Sequence, residues 1–464
     1  MFALPGILGL VFFIYVRPQE ILLDLQRLPL LYIFFGLALF GFAVDLRLRV
    51  NKASPVPQLV WALLLFAWAT FTILIKAPEQ ALHGALEFAV SITLFFVIAH
   101  SVHTFRALQM VTGLVLALVI ALAIIGVHQG QSDFGCVMID PRETGDLSVG
   151  TPDGRSCRPM QDLDCYLRGE PEPGADYICE RIGMFGTTSV AGRVRYRGVL
   201  QDPNELALAL SIGVAFAFAF AAQRGGAGSI FLVGLTMLSV LVCVYMTQSR
   251  GGQLVFLSVL GVYAVWRWRW KAVAAVALLA PPALILMGGG SSERVDAAAS
   301  TEERMEAWKT GFDLFISSPI VGVGQGQFVE HHYLTAHNSY VLALAETGFV
   351  GFILWGAVLY VSVKILLLAV LRYRDRPEAK VALSWGLALL ASLAGLCVGI
   401  FFLSFSWHNL FWIYMGLVGA YYSAIRTHDP DFRVRMGPID LLAIVAIGTT
   451  VLSLLYFYLR LKGV

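Results

Sequence analysis

Charge is scarce in this chain. Asp, Glu, Lys and Arg make up 14% of its 464 residues, against 58% apolar residues, and the mean hydropathy is +0.74. A soluble domain carries roughly 25% charged residues, so this composition excludes an ordinary soluble chain. Other absences narrow the chemistry. Met1-Phe2-Ala3-Leu4-Pro5 lacks a basic n-region and no small-residue cleavage site follows, so the start reads as a retained first span or re-entrant segment rather than a signal peptide. The cysteines show no short Cys-x2-4-Cys pair, and His331, His332 and His337 do not form an i, i+4 helical pair, so no metal site is expected. Gly322-Val323-Gly324-Gln325-Gly326 is not followed by Lys-Ser/Thr, so it is expected to be a turn that folds 327–337 back over the bundle, not a nucleotide loop. Internal repeats and low-complexity tracts are also missing.

Long apolar runs fill the sequence. Stretches of about 17–25 residues cross a bilayer, and they predict about twelve or thirteen spans. These lie near 3–16 (short), 29–46, 57–75, 80–99, 105–128, 201–222, 229–246, 252–266, 271–289, 347–371, 381–403, 409–425 and 438–459. The expected fold class is therefore all-α: a polytopic membrane helical bundle of about 12–13 transmembrane helices with two large loops. Five regions follow: N-terminal spans 1–128, a loop 129–200, central spans 201–289, a loop 290–346 and C-terminal spans 347–464.

Short loops orient such a bundle through Lys and Arg. One side collects Arg47, Arg49, Lys52, Arg106, Arg224, Arg267, Arg269, Lys271, Arg372, Arg374, Arg376, Lys380, Arg426, Arg433 and Arg435. Short loops on the other side hold Arg17, Arg27, Lys76 and Arg250. The first side is expected to be cytoplasmic, which sends 129–200 and 290–336 outward. Arg460 and Lys462, after 438–459, run against this pattern. Cys136, Cys157, Cys165 and Cys179 all fall in the first outward loop. An even number in one loop suggests two disulfides in an oxidising compartment, with three connectivities open. Cys243 and Cys397 lie inside apolar runs and read as inert core thiols.

Three polar clusters interrupt the apolar pattern on the outward side. Arg193, Arg195 and Arg197 precede Gln201-Asp202-Pro203-Asn204-Glu205, where Asp202 suits an N-cap and Pro203 a first helical turn. A helix N-terminus beside arginines favours an anion. The same arginines also suit interfacial anchors snorkelling to headgroups. Arg250, in Thr247-Gln248-Ser249-Arg250-Gly251-Gly252, sits in a tight turn whose glycines permit close backbone approach. It also suits a cap on the preceding helix. His337, with Asn338, Ser339 and Tyr340, can move a proton near neutral pH, or be a surface histidine without a role. His408, in Trp407-His408-Asn409, is a weaker candidate. Ahead of His337, Thr301 to Lys309 reads as an amphipathic helix, with Thr301 as N-cap and Met305, Trp308, Phe312 and Phe315 at helical spacing. Guanidinium forks bind phosphate in a bidentate way, so these clusters suggest an enzyme acting on an anionic lipid-linked substrate.

In order, the chain shows the arginine cluster before Asp202-Pro203-Asn204-Glu205-Leu206-Ala207, then Ser249-Arg250-Gly251-Gly252 and Arg304-x3-Trp308. Pro319-Ile320-Val321-Gly322-Val323-Gly324, His337-Asn338-Ser339-Tyr340 and Glu346-Thr347-Gly348-Phe349-Val350-Gly351 follow. This set resembles the O-antigen ligase and O-antigen polymerase superfamily of bacterial inner membranes. The opening Tyr15-Val16-Arg17-Pro18-Gln19-Glu20 is similar to an exosortase-associated branch of O-glycosylation ligases. The cysteine-bearing loop 129–185 departs from smaller members.

The resemblance implies a metal-independent GT-C-type glycosyltransferase without cofactors. It would take a glycan from undecaprenyl diphosphate at the periplasmic face of the inner membrane and pass it to an acceptor hydroxyl. Lipid A-core, a growing polysaccharide and a protein all qualify as acceptor, and no nucleic acid is involved. On this reading Arg197 and Arg250 clamp the diphosphate and His337 serves the acceptor as base, while Arg193, Arg195, Asn204, Arg304, Asn338 and Tyr340 bind substrate. The competing readings are a lipid-linked oligosaccharide flippase or transporter, for which repeats or mid-membrane charges are the expected marks, and a protein O-oligosaccharyltransferase within the same superfamily.

Overall fold

The computed structural model describes all residues except 22–24, 26, 51–54, 140–149, 168, 170, 173, 270, 272–273, 275–277, 279–290 and 464; the side chains of 199 and 291–300 are likewise left aside. The fold is all-α and polytopic. Its longer helices are α1 (Leu4–Val16), α2 (Leu30–Arg47), α3 (Leu59–Lys76), α4 (Ala81–Ser101) and α5 (Phe105–Gln131). A short α6 (Leu163–Leu167) then precedes α7 (Pro203–Arg224), α8 (Gly226–Met246), α9 (Arg250–Trp268) and α10 (Ser291–Ser317). The chain ends with α11 (Ser339–Tyr373), α12 (Lys380–Gly399), α13 (Asn409–His428) and α14 (Pro438–Leu461).

Among the described residues, nine helices are long and apolar enough to cross a membrane: α2 to α5, α7, α8, α11, α12 and α14. Three other expected spans are helical but fall outside that set. Helix α1 has 13 residues, short of the roughly 20 a crossing needs. Helices α9 and α13 carry more polar residues, and α13 is buried among its neighbours, where its tyrosines and tryptophan meet protein rather than lipid. The expected span at 271–289 lies largely outside the described residues.

The chain forms two compact units. One comprises Met1–Ile7, Leu37–Met110 and Leu260–Val464; the other comprises Leu8–Gly36 and Val111–Val259. In the first, α13 packs along α4, and α11 packs on α3, α10, α12, α13 and α14. Two charges within its spans, Lys364 and Glu87, find partners. Lys364 pairs with Asp440 at 2.6 Å, and Glu87 with His83 at 3.1 Å.

In the second unit α7 is the most buried span. Its start follows from sequence: Asp202 caps it by accepting from the Asn204 amide, and Pro203 fills the first turn. The segment before it is not a plain connector. Strands β1 (Phe134–Ile139), β2 (Thr151–Ser156) and β3 (Asp176–Arg181) form an antiparallel sheet in the order β2-β1-β3. Disulfides Cys136–Cys165 and Cys157–Cys179 tie it together. Those sulfurs make a small core with Tyr177, a common solution where apolar residues are few.

Candidate active site

The second unit draws three sequence motifs to one point. Arg193 Nε donates to the Thr247 carbonyl at 3.0 Å and its Nη2 to Asn204 Oδ1 at 3.4 Å. Ser249 Oγ donates to the same Oδ1 at 2.7 Å, while Asn204 Nδ2 donates to Asp202 at 2.8 Å. Asn204, expected to bind substrate, is thus the bond that joins the arginine cluster, the α7 cap and the 247–250 turn. Ser249 also accepts from the Gly252 amide at 3.0 Å and so caps α9. Arg250 opens α9 and is exposed. Helices α7 and α9 meet closely here: a Cβ on Gly252 would lie 2.2 Å from that of Ala207.

The neighbouring arginines are more enclosed. Arg195 is 4% exposed, and its Nε and Nη2 donate to the Thr188 carbonyl and hydroxyl at 2.9 and 3.2 Å. Arg197 donates to the carbonyls of Glu20, Phe185 and Gly186 at 2.7, 2.9 and 2.7 Å, which fixes the loop on the opening segment. Tyr196 between them donates to the Val16 carbonyl at 3.0 Å; burial pushes its phenol up, against the opposite pull of Arg197. A residue that sequence reasoning passed over sets this stretch. Glu180, on β3, accepts from the Ala191 and Gly192 amides at 2.6 and 3.1 Å and from the Ser189 hydroxyl. It closes the turn that leads into Arg193.

In the first unit, His337 lies half-buried with φ 45, a left-handed conformation uncommon for histidine. Both flanks are held by one segment. Thr335 Oγ1 bonds Ser404 Oγ at 2.7 Å, and the Ser339 amide donates to the Ile400 carbonyl at 2.8 Å. Ser339 Oγ donates to the Leu403 carbonyl at 2.6 Å and accepts from the Phe405 amide at 2.8 Å. Asn338 caps α11 through Oδ1, which accepts from Tyr340 and Val341. Its Nδ2 is buried without a partner, a donor left for something else. Tyr340 is committed to the Cys397 carbonyl at 3.1 Å.

Helix α10 begins at Ser291, so Thr301 is an exposed interior residue and not the expected N-cap. The apolar stripe does pack as spaced: Trp308 lies against Phe401, with ring centroids 5.7 Å apart, and Phe312 against Tyr456 at 5.6 Å. Tyr340 reaches the same Phe401 at 6.3 Å, and Gly311 abuts Val341. Helix α10 therefore runs alongside the start of α11. One turn back from Trp308 on the same helix lies half-buried Arg304.

The glycine-rich loop has a definite structural task. Helix α11 breaks at Gly348, where φ is 64. The freed carbonyls of Ala345, Glu346 and Thr347 accept from Val323 N, Gly324 N and Trp68 Nε1 at 2.9, 2.8 and 2.9 Å. The Glu346 carboxylate, 2% exposed, accepts from the Phe328 amide at 3.1 Å and from Trp407 Nε1 at 2.6 Å. Broken helices in transporters offer such carbonyls to ions; these are spent on the protein's own N–H groups. His408 caps α13 by accepting from Leu410 N at 3.2 Å. The ligand atoms of Cys136, Cys157 and Cys165 lie within 4.8 Å of one another, but each sulfur is in a disulfide and is no thiolate ligand.

An all-α membrane protein with arginines fixed at one end of its spans, and a strained histidine at a helix start, has the parts for transfer chemistry on an anionic lipid-linked substrate. Residues 234–356 match the family model described as O-Antigen ligase, which bears out the resemblance to the O-antigen ligase and polymerase superfamily. The match takes in Arg250, Arg304, His337, Asn338 and Tyr340, and leaves Arg193, Arg195, Arg197 and Asn204 outside it. A search of curated proteins returned no match. In general terms, residues 234–356 are similar to an O-antigen ligase domain, carried within a multi-pass membrane architecture.

Proposed function

We propose that the chain transfers a glycan from undecaprenyl diphosphate to an acceptor hydroxyl at the periplasmic face of the bacterial inner membrane. The observation that carries this reading is the joining of Arg193, Asn204 and Ser249, which sets the arginine cluster beside exposed Arg250 at the starts of two helices. The acceptor oxygen attacks the anomeric carbon, the bond from that carbon to the diphosphate oxygen breaks, and the acceptor proton passes to His337. Undecaprenyl diphosphate leaves with the bonding pair, and fixed guanidinium groups stabilise its charge. Arg250 is the principal clamp, with Arg193 beside it and Arg195, Arg197 and Arg304 in support. Asn338, through its unmet Nδ2, binds a substrate oxygen, and Tyr340 supports it. No metal or cofactor is required, because the donor carries the energy and the arginines carry the charge. Lipid A-core, a polysaccharide end and a protein remain the candidate acceptors.

A transfer assay in membranes tests the clamp. Arg250→Lys should fail nearly as badly as Arg250→Ala, because an ammonium cannot make a planar two-point contact with phosphate. Full transfer by Arg250→Lys would reduce the role to simple charge.

A further inference from the structure

The far end of the second unit carries a groove that this chemistry does not use. It has a volume of about 470 Å³ and lies among α5, α7 and α8. Leu116, Ile120, Phe220 and Leu232 make apolar walls, and Gly113 and Gly228 leave the floor without side chains. A Cβ on Gly228 would meet nothing within 4 Å. The charged lining residue is Arg224, the last residue of α7, which is exposed and makes no hydrogen bond or ion pair among the described residues.

Helix α7 has 22 residues, so at 1.5 Å per residue Arg224 stands about 33 Å from the capped end at Asp202. That distance is a full bilayer core. A diphosphate held beside Arg250 cannot also reach Arg224. The groove therefore serves the opposite leaflet, which the Lys and Arg bias marks as cytoplasmic.

We propose that this groove is a binding site for an anionic glycerophospholipid of that leaflet. One acyl chain lies along the apolar walls, and the headgroup phosphate meets the Arg224 guanidinium. An apolar trough topped by a cation without a carboxylate complements an amphiphile of opposite sign. It does not complement a second helix, whose side chains would leave that arginine unmatched. Basic pockets between spans select anionic headgroups in the same way.

Native mass spectrometry of the delipidated full-length protein, titrated with phosphatidylglycerol and then with phosphatidylcholine, tests the proposal. Wild type should prefer phosphatidylglycerol by about fivefold, the equivalent of about 1 kcal/mol for one basic residue. Arg224→Gln should bind both lipids equally. Gly228→Phe adds a ring at a position where a Cβ meets nothing within 4 Å and should lose both, with an unchanged melting temperature showing that it folds. Equal binding of the two lipids by wild type, or an undiminished preference in Arg224→Gln, would overturn the assignment. So would displacement of bound phosphatidylglycerol by undecaprenyl phosphate at matched concentration, which would make the groove a polyprenyl site.

Discussion

At the scale of residues, the two candidate clusters differ in how they hold their chemistry. Arg193 and Ser249, the residue before Arg250, share a lattice of side-chain bonds through Asn204, whereas the residues flanking His337 are tied to the 400–406 segment. Asn204→Ala therefore removes the acceptor shared by Arg193 and Ser249. It should cut transfer at least tenfold, a loss of about 1.4 kcal/mol in the range of hydrogen bonds to charged groups. Ser339→Ala should act on the other side. It deletes two buried bonds to the 400–406 segment, costing about 1–3 kcal/mol of stability, and it should lower kcat while leaving the affinity for the lipid-linked donor unchanged. His337→Ala should keep donor binding and lose transfer; an unchanged rate would return His337 to the role of a surface histidine. Arg250 and His337 stood out in the sequence, Arg250 as a charge between two apolar runs and His337 as a titratable group in an outward loop. Glu180, Ser339 and Glu346 were not, because their importance lies in partners far along the chain, which no local pattern exposes.

At the scale of elements, the break in α11 is a joint whose freed carbonyls at Ala345, Glu346 and Thr347 are answered. Gly348→Ala would force a Cβ to 2.2 Å from the Ile320 carbonyl oxygen at a left-handed φ. The conformation alone costs about 1–2 kcal/mol, and the clash adds to it, so the variant should melt lower in detergent than Gly351→Ala would through side-chain contact alone. The far ends of α11 and α13 are joined by Asp429, which accepts from Arg372 Nε at 2.8 Å and from the Tyr373 hydroxyl at 2.9 Å. Burial alone would raise that carboxyl, but the bonds from Arg372 and Tyr373 outweigh it and hold it below the usual carboxylate range. A depressed folded value gives stability that is present above the unfolded value and lost as pH falls through the folded one. Thermal stability should therefore drop more steeply below about pH 4 in wild type than in Asp429→Asn. Element boundaries shifted where a distant partner decided them. Asn338 starts α11 eight residues ahead of the expected span because its side chain caps that turn, and Thr301 lost its cap role because α10 extends back to Ser291.

At the scale of the whole molecule, hydropathy made the all-α membrane class plain, since a bilayer leaves the backbone few alternatives to helix. It could not reveal the sheet between α5 and α7, whose strands are short and held by sulfur. Labelling tests the orientation read from Lys and Arg. Maleimide labelling of intact cells should reach Cys136, Cys157, Cys165 and Cys179 only after reduction and only from outside. Labelling without reductant, from the cytoplasmic side alone, would reverse the topology.

The cross-linked sheet also sets an order of maturation. Cys179 and Glu180 are adjacent on β3, and Glu180 shapes the turn that delivers Arg193. On the proposed periplasmic orientation, a newly made chain would lack its arginine corner until the loop has been exported and oxidised. On that reading, an enzyme that could discharge lipid-linked glycan on the wrong side of the membrane would be kept silent by its own unfinished fold. Chains trapped with reduced cysteines should already be inserted in the membrane, yet remain inactive until an oxidant is supplied.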